Sequence, residues 1–254
     1  MKRRHWLYLA LAAVAVSGIV RWRPWLPRLE VLHKGGKGPP TLVLLHGYAS
    51  SAEHWIPYGL TIPFPPQGRF LFPVAPYHVS RPDGKADGRA WWNLELAAHR
   101  RTVGLGVDLR EEDPSGLMRA AGLVRNTLDA EGNTTKHPFI LGGFSQGAMV
   151  ACEVAFASDA PLAALVILSG TPIDRAGWSA GMSERKAMPV FMAHGRADDV
   201  LPFDLAEKLH QQMVIAGLSV TFVAFEGGHE IPAEVVAALG TFLARTAAGR
   251  SRLQ

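Results

Sequence analysis

Residues 139–149 read Phe139-Ile140-Leu141-Gly142-Gly143-Phe144-Ser145-Gln146-Gly147-Ala148-Met149. An apolar run leads into a Gly-x-Ser-x-Gly pentapeptide, and residues 146–157 continue small and apolar. That order predicts a strand, a sharp turn with a serine at its apex, and a helix. The glycines have a steric reason, because side chains there would strike neighbouring backbone. The turn also sets the serine near a helix N-terminus, where backbone N–H groups face developing negative charge. In a chain with 26 glycines the pentapeptide alone is a modest signal. The strand before it and the helix after it give it weight.

The same alternation extends on both sides. Apolar runs occur at residues 41–45, 70–74, 162–168, 189–193 and 220–225. Their near-continuous hydrophobicity suits strands buried on both faces. Helical stretches lie between them, at 114–130, 146–157, 203–216 and 232–247. The first places Leu117, Ala121, Val124 and Leu128 on one face, and the third spaces Leu205, Leu209 and Met213 at helical intervals. Strands alternating with helices predict an α/β fold with a mainly parallel sheet covered by helices on both faces. Residues 33–40, rich in Gly and Pro, read as a linker, and residues 76–113 read as mostly irregular. Only about twenty residues separate the runs at 162–168 and 189–193, too few for an inserted cap domain with its own core.

The chain has 254 residues and is 48% apolar, enough for one sizeable core. Its formal charge of +4 is local. Lys2, Arg3, Arg4, Arg21, Arg23 and Arg28 precede the first acid, Glu30, and leave 20 basic against 22 acidic residues beyond them. The remainder carries no electrostatic footprint for nucleic acid. Basic residues followed by an uncharged apolar run at 7–20 predict an export signal, with an uncleaved membrane anchor as the alternative. The domain reading is therefore residues 1–28 as signal peptide or anchor and 29–254 as the catalytic domain. Membrane attachment would run through 1–28. Cys152 is the only cysteine, so no internal disulfide forms, and its place in the helix after Ser145 reads as core.

A serine hydroxyl needs a base to act as a nucleophile. Among ten histidines, His229 follows the run at 220–225 directly and comes last in chain order. Open α/β sheets build their sites at such strand C-terminal ends. The base in turn needs a carboxylate to fix its tautomer. Asp198 and Asp199 both follow the run at 189–193, and order alone does not choose between them. Leu45-His46-Gly47-Tyr48 ends the first run, where a turn would aim the Tyr48 N–H, with that of Gln146, at a substrate carbonyl oxygen. His46 and His194 read as residues that hold their loops.

The stretches VLLHGYAS, FPVAPY, GRAWWNL, LGGFSQGAMVA, ALVILSG, PVFMAHGRADDVLP and GGHEIP, in this order, resemble the phospholipase/carboxylesterase family of α/β-hydrolases, which includes acyl-protein thioesterases. The resemblance spans residues 40–245 and implies an α/β-hydrolase fold without a cap domain. It also implies Ser145 as nucleophile, His229 as base, Asp198 as acid, and the Tyr48 and Gln146 amides as oxyanion hole. Trp91 and Trp92 fall in a stretch similar to the family's loop beside the acyl pocket, which implies that they line or support it. The expected activity is cofactor-independent and metal-independent hydrolysis of small-molecule carboxylic esters or thioesters of short to medium acyl chains. A peptidase or polymer esterase on the same fold, or an inactive binding protein, is the alternative. Tyr48 stands where the family often has Leu, and Asp199 where Pro is common. An export segment is absent from the family's cytosolic thioesterases, which argues against a lipidated cytosolic protein as substrate.

Overall fold

The buried strands alternate their side chains between two apolar layers. The computed structural model describes residues 27–81, 84, 87–94, 115–173 and 175–251. Seven strands form one sheet. They are β1 (Val31–Gly35), β2 (Gly38–Leu45), β3 (Gly68–Pro73), β6 (Phe139–Phe144), β7 (Leu162–Leu168), β8 (Pro189–Gly195) and β9 (Ser219–Phe225). Their order is β1-β3-β2-β6-β7-β8-β9, parallel except for β1. A two-stranded hairpin of β4 (Tyr77–Val79) and β5 (Gly88–Ala90) stands apart.

Val43, Leu45, Leu141, Leu165, Ile167, Val190 and Met192 point to one layer. That layer holds α2 (Ser115–Ala130), α3 (Gln146–Ala157), α4 (Arg175–Glu184) and α5 (Phe203–Ile215). Leu42, Leu44, Ile140, Val166 and Phe191 point to the other, which α1 (Ala52–Gly59) and α6 (Ala233–Ser251) cover. This is the period of two along strands turned into two cores. Helix α3 is buried almost throughout, from Gln146 to Phe156, as a helix apolar on all sides must be, and its buried Glu153 accepts from the Trp178 indole N–H at 2.6 Å.

The linker reading of residues 33–40 is corrected. Residues 33–35 pair antiparallel with β3, and residues 38–40 open β2. The chain there is half-exposed edge strand, so its composition is polar and glycine-rich. Residues 76–113 also contain the β4–β5 hairpin, while 95–113 lie outside the described residues, as do residues 1–26 of the segment 1–28 read as export signal or anchor. The connection from β7 to β8 carries only α4 among the described residues, and no cap domain.

The chain places β3 on one side of β2 and β6 on the other. The loops after β2 and β6 therefore diverge at a switch point, where open sheets hold ligands.

Candidate active site

Ser145 follows β6 directly, with φ 54° and ψ −121°, a conformation that side chains rarely adopt. The turn is held by close backbone packing. A Cβ on Gly143 would lie 2.3 Å from the Gly147 carbonyl carbon, and one on Gly147 would lie 2.3 Å from Leu45 O. Only glycine permits either approach. The Ser145 N–H donates to Leu168 O at 2.9 Å, tying the turn to β7. Its hydroxyl does not cap α3, which leaves it for another partner.

That partner is His229, whose Nε2 lies 2.9 Å from Ser145 Oγ. His229 Nδ1 lies 2.8 Å from Asp198 Oδ2. A carboxylate can only accept, so Nδ1 carries the proton and Nε2 is left to accept from the serine hydroxyl. The Asp198 side chain is fully buried and His229 is slightly exposed. Burial alone would raise the Asp198 pKa. Hydrogen bonds from His194, His229 and the Leu201 amide outweigh it and hold the carboxyl well below the usual carboxylate range. Asp199, its exposed neighbour, contacts neither histidine among the described residues. The geometry thus separates two aspartates that chain order left open.

The loop after β2 passes against the serine, since a Cβ on Gly47 would touch Ser145 Cβ at 3.5 Å. Neither the Tyr48 nor the Gln146 N–H has a hydrogen-bond partner among the described residues. His46 holds this loop: its Nδ1–H donates to Gly47 O at 2.8 Å, and the Ala75 N–H donates to its Nε2 at 3.4 Å. Burial lowers its pKa to about 4. Burial pushes the Cys152 thiol up, in keeping with its place in the core.

A cleft of about 550 Å³ opens over Ser145 and His229. Its walls are Tyr48, Trp55, Tyr58, Phe144, Val200 and Ile231, with His54, Ser80 and Arg81 among its polar residues. The Phe144 ring packs 4.7 Å from that of His229 and 5.9 Å from that of Trp55. The Tyr58 hydroxyl donates to Ile231 O at 2.8 Å and so ties α1 to the loop that carries His229. None of these wall residues except Tyr48 was singled out in the sequence. Three of them sit within two positions of Ser145, Asp198 or His229, and that adjacency was the available signal.

Among the described residues Trp91 and Trp92 do not line the cleft, so of the two expected roles the lining one is corrected and the supporting one is left. Both are core residues. The Trp91 indole N–H donates to His46 O at 2.8 Å. Gln146 Oε1 accepts from the Trp91 amide at 2.9 Å, and Gln146 Nε2 donates to Trp92 O at 2.8 Å. The pair is enclosed because these bonds draw it beneath the loop after β2. Among the described residues, no group of three His, Cys, Asp or Glu side chains could hold a metal ion.

The parallel sheet between two helical layers, with the serine turn at the end of β6, defines an α/β-hydrolase. The chain belongs to the phospholipase/carboxylesterase family, whose model matches residues 26–247. It is similar to an acyl-protein thioesterase 1 homolog of Dictyostelium discoideum, 24% identical over 213 residues, covering 81% of this chain and 90% of that one. The fold matches the crystal structure of esterase PE8 with a TM-score of 0.72 at 25% identity, over 86% of this chain and 99% of that one. It also matches the Bacillus cereus carboxylesterase with a TM-score of 0.65 at 18% identity, over 86% and 94%. The protein is a hydrolase of the ester-cleaving class.

Proposed function

We propose that this protein hydrolyses carboxylic esters and thioesters of short to medium acyl chains through an acyl-enzyme on Ser145. One observation carries the reading: the hydrogen-bonded chain Ser145–His229–Asp198, at 2.9 and 2.8 Å, faces an apolar cleft. His229 takes the Ser145 proton as Oγ attacks the acyl carbon, then returns it to the leaving alcohol or thiol. A water molecule, deprotonated by His229, attacks the acyl-enzyme, the bond to Oγ breaks, and His229 returns the proton to Ser145 as the acid leaves. Asp198 holds the His229 tautomer and stabilises the imidazolium. The N–H groups of Tyr48 and Gln146, unpartnered among the described residues, stabilise the oxyanion formed in both halves.

The test is covalent labelling by a fluorophosphonate together with hydrolysis of p-nitrophenyl butyrate. Both should occur in the wild type and vanish in a folded Ser145→Ala variant. Labelling at another serine, or turnover that survives the substitution, would remove the assignment.

We also propose that residues 1–28 direct export or anchor the protein at the inner membrane. The basic start and the uncharged run at 7–20 support this. Fractionation of cells expressing the full chain should find it outside the cytosol or bound to membrane. Recovery only from the cytosolic fraction would overturn it.

A further inference from the structure

We infer that His194 is a positioning residue for the catalytic carboxylate, holding Asp198 Oδ2 against His229 by a second side-chain hydrogen bond. The inference rests on the esterase reading above. His194 lies in β8, four residues before Asp198, and both side chains are fully buried. Its Nε2 lies 2.8 Å from Leu201 O and 3.2 Å from Asp198 Oδ2. Both partners only accept, so Nε2 carries a proton shared between them. Nδ1 is buried and has no partner among the described residues. An N–H there would be a buried donor without an acceptor, so the site fits the tautomer protonated on Nε2.

The consequence lies in how Asp198 is held. Oδ1 accepts from the Val200 and Leu201 amides at 2.9 and 2.8 Å. Oδ2 accepts from His229 at 2.8 Å and from His194. The terminal torsion of an aspartate is soft, so a carboxylate is aimed by its donors and not by its rotamer. His194 fixes Oδ2 from the side of β8, while its bond to Leu201 O closes the loop that carries the acid. The Phe203 ring packs edge-on to His194 at 6.1 Å and restrains the imidazole.

Among the described residues, the titratable groups in contact with Asp198 are His194 from β8 and His229 from the loop after β9. Two charged neighbours on its own loop turn away. Asp199 is exposed, and Arg196 lies over Phe203 and pairs with Glu226. Oδ2 therefore divides its charge between two histidines. Removal of the His194 donor leaves more of it to His229, which strengthens proton binding by the base. A residue that merely braced the fold would have no such effect.

The experiment compares the wild type with His194→Gln, His194→Asn, His194→Met and Ser145→Ala. A Gln amide nitrogen reaches the place of Nε2, an Asn amide stops at that of Nδ1, and Met fills the volume without a donor. The measurements are kcat and KM on p-nitrophenyl butyrate and the rate of fluorophosphonate labelling, each across pH. Wild-type labelling that Ser145→Ala abolishes secures the parent reading, and the Gln contrast then tests His194 separately. The Asn and Met variants should lose about 10–100-fold in kcat and labelling rate, with KM nearly unchanged. The acid limb of their kcat/KM profiles should move up by about 0.5–1 pH unit, the equivalent of one hydrogen bond. His194→Gln should recover most of the rate and the wild-type limb. Full kcat in a folded Asn or Met variant would overturn the inference, as would equal losses in all three with the limb unmoved.

Discussion

Gln146 joins the serine turn to the strip beside it: its side-chain amide brackets Trp91 and Trp92, accepting from the Trp91 N–H at 2.9 Å and donating to Trp92 O at 2.8 Å. The backbone of the same residue supplies one of the two N–H groups proposed to bind the oxyanion. A single side chain therefore couples the core tryptophans to the geometry of the site. Gln146→Met keeps the volume and strands two buried backbone groups. Each costs about 1–3 kcal/mol. The variant should melt earlier and lose kcat more than it gains KM. Thermal melts with Michaelis kinetics check this, and an unchanged melt with normal kcat would show that the clamp does nothing.

Ser145 pays for its exposure with backbone strain at φ 54°. Replacing it by Ala keeps the strain, while Gly relieves it. Ser145→Gly should be more stable than Ser145→Ala by about 1 kcal/mol, with both inactive. Urea unfolding of the two variants measures the difference. Equal midpoints would mean that the turn stores no strain at this residue.

The two aspartates of the acid loop differ by burial and partners. Asp198→Asn should lower kcat about 10³–10⁴-fold by releasing the His229 tautomer. Asp199→Asn, on an exposed side chain, should change it little. The comparison needs only steady-state rates, and a larger loss at Asp199 would reverse the assignment.

His46 makes stability depend on pH. The unfolded chain protonates this ring near its ordinary value of 6.5, but burial delays protonation in the folded state to about 4. Between these values the unfolded state binds more protons, so stability is full above 6.5 and falls as pH drops toward 4. The shift corresponds to about 3 kcal/mol, a large part of a typical folding free energy. Urea unfolding at neutral pH and near pH 4.5 should show the loss. His46→Asn retains a donor toward Gly47 O and should flatten this dependence.

Strands that appear as continuous apolar runs were legible because burial on both faces leaves no room for polar residues. β1 was not, since half of it is exposed and its last residue is a glycine at φ 78°. Helix α1 was hidden by its eight-residue length and by Pro57 inside it, and α4 by the two glycines among its ten residues. Ser145 and His229 were legible because each follows a strand end, where chain order constrains them, whereas Asp198 shared its place with Asp199 and only the family resemblance favoured it. The cleft walls were not. Trp55 and Tyr58 come from α1, and only the packing of that helix against Phe144 and Ile231 brings them to the serine. Trp91 and Trp92 misled because large aromatics near a site suit either a pocket or a core, and backbone hydrogen bonds decided for the core.

The cleft walls set the chain-length preference. Each methylene buried against Trp55, Phe144, Val200 and Ile231 gains about 0.8 kcal/mol, or roughly fourfold in kcat/KM, until the wall ends. Among the described residues no cap domain extends that wall, so the gain should stop at medium chains. No activation by a lipid–water interface should follow, because among the described residues no cap domain stands over the serine. Ile231 sits beside His229 and lines this wall. Ile231→Trp should cut rates on p-nitrophenyl hexanoate and octanoate at least tenfold while sparing the acetate, because the added ring fills the space that longer chains need. Its carbonyl still accepts from Tyr58, so α1 stays tied to the loop that carries His229. Rates from acetate to palmitate, below and above micelle formation, measure both properties. A steady rise to palmitate in the wild type, or equal losses on acetate and octanoate in the variant, would place the acyl chain elsewhere.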